Sequence, residues 1–414
     1  MPKTFSKPWY GIAIPCAIIS FLGYGSQLLI FKKYPISKNQ QTIFQIELIL
    51  IWLTYYIAIK MKPGSPKAKF ESIENSNYKI WSNYCFKCKN NKPERAHHCK
   101  TCDTCVLALD HHCPWTMNCV GLNNFASFMR FLVSVIITTL TLFFHLLKKW
   151  YMLYLLRDTI RYRVTYLDII ILFIFTSLDF FVFFTISALF LRCFKNQFCK
   201  GMTQIETWEM DRIESLGLNN KLMPLLLSNV SKVFNVDFDN DEEWRDIGFK
   251  LFKRSKKMFS YSYINFPYDN CFFNNCEVFM GPFYTWLLPW GKSHIDCSVG
   301  FPKNDVALLD STQEIKKSEN ELIDLVLSLP WPPDGIKNKS LEQESNEFIN
   351  VIEKDEESSD EQNDVKKPSA YVDPRLKLKR NEWYNESGEN LAYFGVEDDF
   401  ESFNFESTSD DDNE

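Results

Sequence analysis

Apolar residues are unevenly spread along this 414-residue chain. They gather into four long runs, 9–31, 42–59, 131–147 and 167–191, and the third extends back toward Phe125 past Arg130. The runs carry little polar striping at a 3.6-residue period, so they do not read as helices with one wet face. Their lengths meet or approach the roughly 20 residues a helix needs to cross a bilayer core. Lys and Arg flank them, as at membrane borders. The pattern predicts an α-helical integral membrane protein with four transmembrane helices. No small-residue cleavage site follows the first run, so a retained anchor is expected and not a signal peptide.

Three acids interrupt the apolar runs: Glu47 in the second, and Asp168 and Asp179 in the fourth. A carboxylate facing lipid is costly, so Glu47 and Asp179 should face the bundle interior or a wet cavity. Whether they do more than fix helix packing stays open.

Four spans put both termini on one side. The connection 60–124 holds 10 Lys and Arg, against 3 in 32–41 and 5 in 148–166. Basic residues concentrate in cytoplasmic loops, so both termini and the middle connection are expected in the cytosol. The glycosylation sequons at Asn229, Asn338 and Asn385 all follow the fourth run, which agrees with a cytosolic C-terminal region.

Charge then divides the chain. The formal net charge is −6, but beyond Leu309 there are 29 acidic and 11 basic side chains, which leaves +12 on the rest. The expected organisation is helices 1 and 2 in 9–59, a cysteine-rich segment in 60–124, helices 3 and 4 in 125–191, a membrane-proximal region in 192–308, and an acidic, mostly disordered tail in 309–414. Two apolar islands break the tail, Leu329 to Pro333 and Trp383 to Phe400. Residues 281–290 (GPFYTWLLPW) are too few between their prolines for a fifth span and suit an interfacial piece. Residues 249–258 mix Lys and Arg with Phe and Leu, which fits an anionic membrane surface or a solvated helix face.

The chemistry concentrates in the middle connection. Seven of 13 cysteines and four of six histidines fall between Cys85 and Cys119. A disulfide framework would not co-cluster histidine, so metal ligation in a reducing compartment is indicated. Cys-x-x-Cys pairs bounded by histidines are a strong zinc signal. Eleven candidate ligands exceed the eight that two tetrahedral sites use. One consistent interleaved solution takes Cys85, Cys88, His98 and Cys105 for one site and Cys99, Cys102, His112 and Cys119 for the other. It leaves His97, His111 and Cys113. A cysteine outside the metal sites, with a histidine two residues before it and Asp110 before that, has the parts of an activated nucleophile. A spare ligand or an inert buried thiol fits the spacing equally well.

Asp110-His111-His112-Cys113 resembles the signature of the DHHC protein S-acyltransferases. The resemblance runs from Cys85 through Asn124 and includes Pro93-x-Arg95-x-His97-His98-Cys99 and Cys113-Pro114-Trp115-x-x-Asn118-Cys119-Val120-Gly121. It implies four transmembrane helices forming a tent-like cavity above a cytosolic domain braced by two structural Zn2+, with ligands as in the two sets above. It implies that Cys113 attacks a long-chain acyl-CoA such as palmitoyl-CoA and passes the acyl group to cysteines of membrane-associated proteins. His111 would be the base and Asp110 would polarise it. Nucleic acid has no place in this reading.

Departures from the family pattern are local. Its Asp-Pro-Gly reads Lys62-Pro63-Gly64 here, and its Thr-Thr-x-Glu reads Thr203-Gln204-Ile205-Glu206. Pro267-Tyr268-Asp269, Asn275 and Val278-Phe279 resemble the family's C-terminal motif, in which the asparagine caps or anchors a helix near the active site; Cys271 stands where glycine is usual. The two tail islands resemble features of a fungal, endoplasmic-reticulum-resident branch that acylates multi-spanning proteins such as chitin synthase and amino-acid permeases. The alternative is that they are partner-docking peptides of no fixed subfamily. The resemblance thus implies an endoplasmic reticulum membrane enzyme. A zinc-built scaffold and a thioesterase are the competing functions. Cys193 and Cys199, close to the fourth run, are candidates for acylation or inert thiols.

Overall fold

The computed structural model describes residues 8–66, 84–157, 165–257, 264–296, 300–308, 315–334, 375, 378, 380 and 382–396. The acidic stretches 335–374 and 397–414, Asn338 among them, lie outside these residues. Packing divides the chain into two units: Met1–Ser65, Val106–Thr203 and Cys271–Ile295 in the first, and Pro66–Cys105, Gln204–Asn270 and Asp296–Glu414 in the second.

The first unit holds four helices long and apolar enough to cross a membrane, Tyr10–Phe31, Lys38–Lys60, Phe125–Leu155 and Tyr166–Cys199. Helix α1, Pro8–Ser20, continues through two π-helical turns, Phe21–Gly25 and Gln27–Phe31. Helix α2 is Lys38–Lys60, α3 is Phe125–Leu155 and α4 is Tyr166–Cys193, extended by a π-helical segment Phe194–Cys199. The third and fourth spans are longer than their apolar runs suggest, because α3 continues past Lys148 and Lys149 and α4 passes into the π segment. Outward positions are apolar: Ile43, Ile49, Phe173, Phe181 and Phe184 are all exposed. Between helices, Phe31, Phe44, Leu48, Leu142, Leu146, Leu172 and Phe175 form one cluster. Lipid tails are as apolar as these side chains, so close van der Waals fit and buried polar contacts hold such a bundle.

The intramembrane acids have distinct uses. Asp168 closes a capping box with Thr165 at the start of α4 and pairs with Lys33. It is therefore a helix start signal and an ion-pair partner. Glu47 accepts from the Thr141 hydroxyl at 3.0 Å and lines a cleft of about 510 Å³ with Gln40 and His145. Asp179 is fully buried, as expected of an acid turned from lipid, and its carboxylate has no hydrogen-bond partner among the described residues.

Helix α8, Cys271–Met280, also belongs to this unit. The aromatic stretch after it is a short 3-10 turn, Phe283–Thr285, and bends. Arg130 on α3 donates to the carbonyls of Trp286, Gly291 and Thr285 at 2.7, 2.8 and 3.1 Å. Phe283, Tyr284, Leu287 and Trp290 remain exposed, in keeping with an interfacial piece and not a span.

The second unit packs α6, Leu222–Phe234, α7, Glu242–Lys257, and α9, Glu319–Leu327, after α5, Gln204–Leu218. Leu226, Leu227, Val230, Leu251, Leu322 and Leu325 are fully buried in its core. Leu329 joins that core, so the first tail island is folded. The second is folded as well: the Trp208 indole donates to the Glu389 carbonyl at 3.0 Å and packs edge-on against Trp383. On α7, Lys250 pairs with Asp246 and Arg254 with Glu319, the arrangement of a solvated helix face.

Candidate active site

Six two- to three-residue strands pair as hairpins through the cysteine-rich segment. In order they are β1 Tyr84–Cys85, β2 Asn90–Asn91, β3 His97–Cys99, β4 Thr104–Val106, β5 His111–Cys113 and β6 Asn118–Val120. In the last hairpin His111 faces Val120, His112 faces Cys119 and Cys113 faces Asn118. Successive side chains of a strand point to opposite faces. His112 therefore meets Cys119, with Nδ1 3.6 Å from Sγ, while His111 and Cys113 share the other face.

Three membrane helices fix this hairpin from within the first unit. The Asn118 amide donates to the carbonyls of Ala58, Ile59 and Met61 at 3.3, 3.3 and 2.8 Å, closing the end of α2. The Tyr55 hydroxyl donates to the Trp115 carbonyl at 2.7 Å. Gly11 of α1 lies so close that a Cβ there would sit 2.0 Å from the Pro114 carbonyl oxygen. Asn124, just before α3, ties the helix start back to the hairpin by accepting from the Gly121 N–H and donating to the Cys119 carbonyl. The Pro63-Gly64 turn holds the other border: Leu107 N–H donates to the Gly64 carbonyl, and Gly64 adopts φ +95°. The missing acid at Lys62 takes nothing from these backbone contacts.

Asp110, His111 and Cys113 come together. Asp110 Oδ2 lies 2.8 Å from His111 Nδ1, with the Asp110 side chain buried and that of His111 partly open. The other ring nitrogen points away from Asp110, and His111 shares its strand face with Cys113. Burial opposes the imidazolium, but hydrogen bonds and charges from Asp110 and Cys113 overcome it and hold the His111 pKa up at about 10. Burial also opposes the thiolate, yet the His111 hydrogen bond and charge, then Thr116, bring the Cys113 thiol below its ordinary value. Phe128 packs edge-on against the His111 ring at 5.6 Å.

Asp110 is also bound from the other side. The buried Gln197 amide, in the π segment after α4, donates to Asp110 Oδ1. Next to it, the Phe198 carbonyl accepts from Asn275 of α8 at 3.3 Å, so Asn275 anchors this segment. Sequence reasoning missed Gln197 and Tyr55. The available signals were a polar pair, Asn196-Gln197, shortly after an apolar run and a tyrosine inside one.

The ligand-type residues fall into two groups, Cys85, Cys88, His98, Cys105 and Cys99, Cys102, His112, Cys119. In each, the donor atoms lie within 4.8 Å of one another. His98 Nδ1 is 3.5, 3.3 and 3.9 Å from the sulfurs of Cys85, Cys88 and Cys105, and Cys105 Sγ is 3.6 Å from Cys88 Sγ. Tetrahedral zinc bonds set such edges at about 3.6 to 3.8 Å. The Cys88 and Cys102 N–H groups each donate to the first sulfur of their pair at 3.4 Å, an outer shell that supports thiolates. Both groups thus fit a metal ion, and Cys113 belongs to neither.

Glu206, kept from the family's Thr-Thr-x-Glu, has a defined task in the second unit. Arg95 donates to its two oxygens at 2.7 and 2.6 Å with both side chains buried. The guanidinium lies 4.8 Å from the Tyr268 ring and 4.9 Å from that of Phe301. The ion pair thus joins α5 to the cysteine-rich segment and to the Pro267-Tyr268-Asp269 motif, a use that Gln204 leaves intact.

Comparison with known proteins agrees with this geometry. The profile described as DHHC palmitoyltransferase matches residues 79–211. A protein of Kluyveromyces lactis named Palmitoyltransferase PFA4 is 40% identical over 95% of this chain and 98% of its own length. Proteins of the same name are 38% identical in Saccharomyces cerevisiae, over 97% of this chain and 100% of theirs, and 31% identical in Candida albicans, over 95% and 98%. With four membrane-length helices, two Cys/His groups and relatives matched over nearly their whole length, this chain belongs to the DHHC palmitoyltransferase family, membrane enzymes that S-acylate proteins from acyl-CoA.

Proposed function

We propose that Cys113 is the nucleophile of a two-stage acyl transfer, with His111 as its proton acceptor and Asp110 as the group that orients His111. The observation that carries this reading is the sharing of one strand face by His111 and Cys113, with Asp110 2.8 Å from the far nitrogen of the ring. In the first stage Cys113 Sγ gives its proton to His111 and attacks the carbonyl carbon of a long-chain acyl-CoA. The new Cys113 thioester forms, the CoA thioester breaks, and CoA leaves with the proton returned by His111. In the second stage a substrate thiol gives its proton to His111 and attacks the acyl-Cys113 carbonyl, and Cys113 leaves. One thioester forms for each one broken, with no change of oxidation state. Asp110 favours the charged ring at both stages.

Zinc in the two Cys₃His groups, when bound, supplies rigid four-ligand bracing for the hairpins. Each buried methylene of a fatty chain is worth about 0.8 kcal/mol, so the acyl tail belongs among the helices while its thioester stays at their end. The ties from α1 and α2 to the hairpin support that division. Exclusion of water there favours transfer over hydrolysis. A binding scaffold needs none of the three residues.

The distribution of Lys and Arg supports an orientation with both termini and the zinc segment in the cytosol. The resemblance to the fungal endoplasmic-reticulum branch supports that membrane as the location and multi-spanning proteins, chitin synthase or amino-acid permeases, as substrates. The test is acyl label on purified protein given a palmitoyl-CoA probe, beside Cys113→Ala. Hydroxylamine-sensitive label on the wild type and none on the variant is expected. Equal label on both removes Cys113 from the role.

A further inference from the structure

A buried carboxylate needs donors for both of its oxygens. Asp110 gives Oδ2 to His111, and Gln197 donates to Oδ1 from the opposite side. Gln197 is fully buried, and its own Oε1 has no hydrogen-bond partner among the described residues. The amide is therefore turned by one contact: facing a carboxylate, only its nitrogen can point inward. It leaves a buried acceptor unsatisfied to do so, an arrangement that favours the Asp110 contact over any other partner. The choice of donor matters as well. A Lys or Arg at this place would cancel the Asp110 charge that His111 draws on, whereas a neutral amide fixes the carboxylate plane and leaves the charge in place. The segment carrying Gln197 is itself held, by Asn275 on the Phe198 carbonyl and by the Met202 N–H on the Asn196 carbonyl at 2.9 Å.

We propose that Gln197 is a positioning residue for acyl transfer, extending the Asp110–His111–Cys113 series to a fourth member supplied by the end of the last membrane helix. The inference rests on the reading of Cys113, His111 and Asp110 given above. It ties the set of the Asp110 carboxylate to the π segment Phe194–Cys199, and so to the packing of α4 and α8.

The test is single-turnover acylation of full-length protein in detergent with palmitoyl-CoA, for wild type, Gln197→Met, Asp110→Asn and the double variant. Two zinc per chain and a cooperative melt identify folded samples; Gln197→Leu replaces Gln197→Met if the latter does not pass. Gln197→Met is expected to lower the saturating acylation rate roughly ten- to a hundredfold, the scale of an ångström-level misplacement, with the half-saturating acyl-CoA concentration unchanged. In the Asp110→Asn background the same change is expected to cost nothing more, because its effect passes through Asp110. A wild-type rate, a change confined to half-saturation, or an undiminished further loss in the double variant overturns the proposal. Full activity of Asp110→Asn or Cys113→Ala would instead overturn the underlying reading, whatever Gln197 does.

Discussion

The hydroxyl of Tyr55 donates to the carbonyl oxygen of Trp115 at 2.7 Å, so the second membrane helix holds the turn that follows Cys113. The ring is independently fixed by stacking on Phe131 at 4.9 Å. Tyr55→Phe keeps that stacking and removes only the donor. A lost hydrogen bond of this kind costs about 1 kcal/mol. The expected outcome is a small drop in melting temperature, unchanged zinc content and slower acyl-enzyme formation in a label time course. An unchanged time course would mean that the turn keeps its place without α2.

Zinc content separates the two uses of cysteine. Cys88→Ala removes one of four donors from a group whose members lie within 4.8 Å. Metal analysis by mass spectrometry should find one zinc per chain or fewer, with loss of cooperative melting, since ligand binding and folding are linked at such sites. Cys113→Ala should keep two. Loss of zinc from Cys113→Ala would show that the ligand sets are wrongly drawn.

Glu209 pairs with Arg212 on its own helix α5 and with Arg380 beyond it, and Arg212 also meets Asp334 at 2.8 Å. Burial alone would raise its pKa, but the two guanidinium charges outweigh burial and hold it down at about 2. A depressed carboxylate contributes fully above its unfolded value, roughly 4.3, and loses that contribution only as pH falls toward the folded value. Glu209→Gln removes the charge shared by two partly buried arginines and leaves Arg212 with Asp334, a loss of about 1.5 to 3 kcal/mol. Its melting deficit should be large and constant from pH 6 to 8. A deficit that shrank across that interval would tie it to a different titrating group.

Arg130 satisfies three carbonyls of one short segment, a spread of acceptors that the fixed planar fork of a guanidinium reaches better than the single point of an ammonium. Arg130→Lys should restore part of the contact and Arg130→Met none. The expected reading is faster limited proteolysis between Gly281 and Lys292 in the order Met, Lys, wild type. Identical cleavage in all three would show that the segment is held by other contacts.

Much of this was legible in the sequence, and for separable reasons. The spans announce themselves by composition, and the ligand sets by spacing, because both depend on near neighbours in the chain. Lys33 with Asp168, Arg95 with Glu206 and Gln197 with Asp110 do not, since each joins residues far apart in sequence. Asp168, near the start of the fourth apolar run, is the start signal of its helix. Asn229 donates to the Pro333 carbonyl and Asn385 shapes a buried turn, so both sequon side chains are packed in the fold, which the sequence does not announce. That the island beginning at Trp383 packs within its own chain was not legible, because its partner, Trp208, lies outside the tail.

Val396 pairs with Cys99 across an isolated bridge, and the Gly395 carbonyl accepts from the Lys100 N–H at 2.8 Å. The chain thus returns to its cysteine-rich segment almost at its far end. A premature stop or a trimming cut placed anywhere before residue 396 removes backbone that Cys99, a member of one candidate metal group, leans on, and acts as a lesion in the cysteine-rich segment and not as the loss of an appendage. A tag added after that residue leaves the bridge whole. Expression designs that discard the acidic tail wholesale would make a protein whose defect appears some 300 residues upstream of the edit.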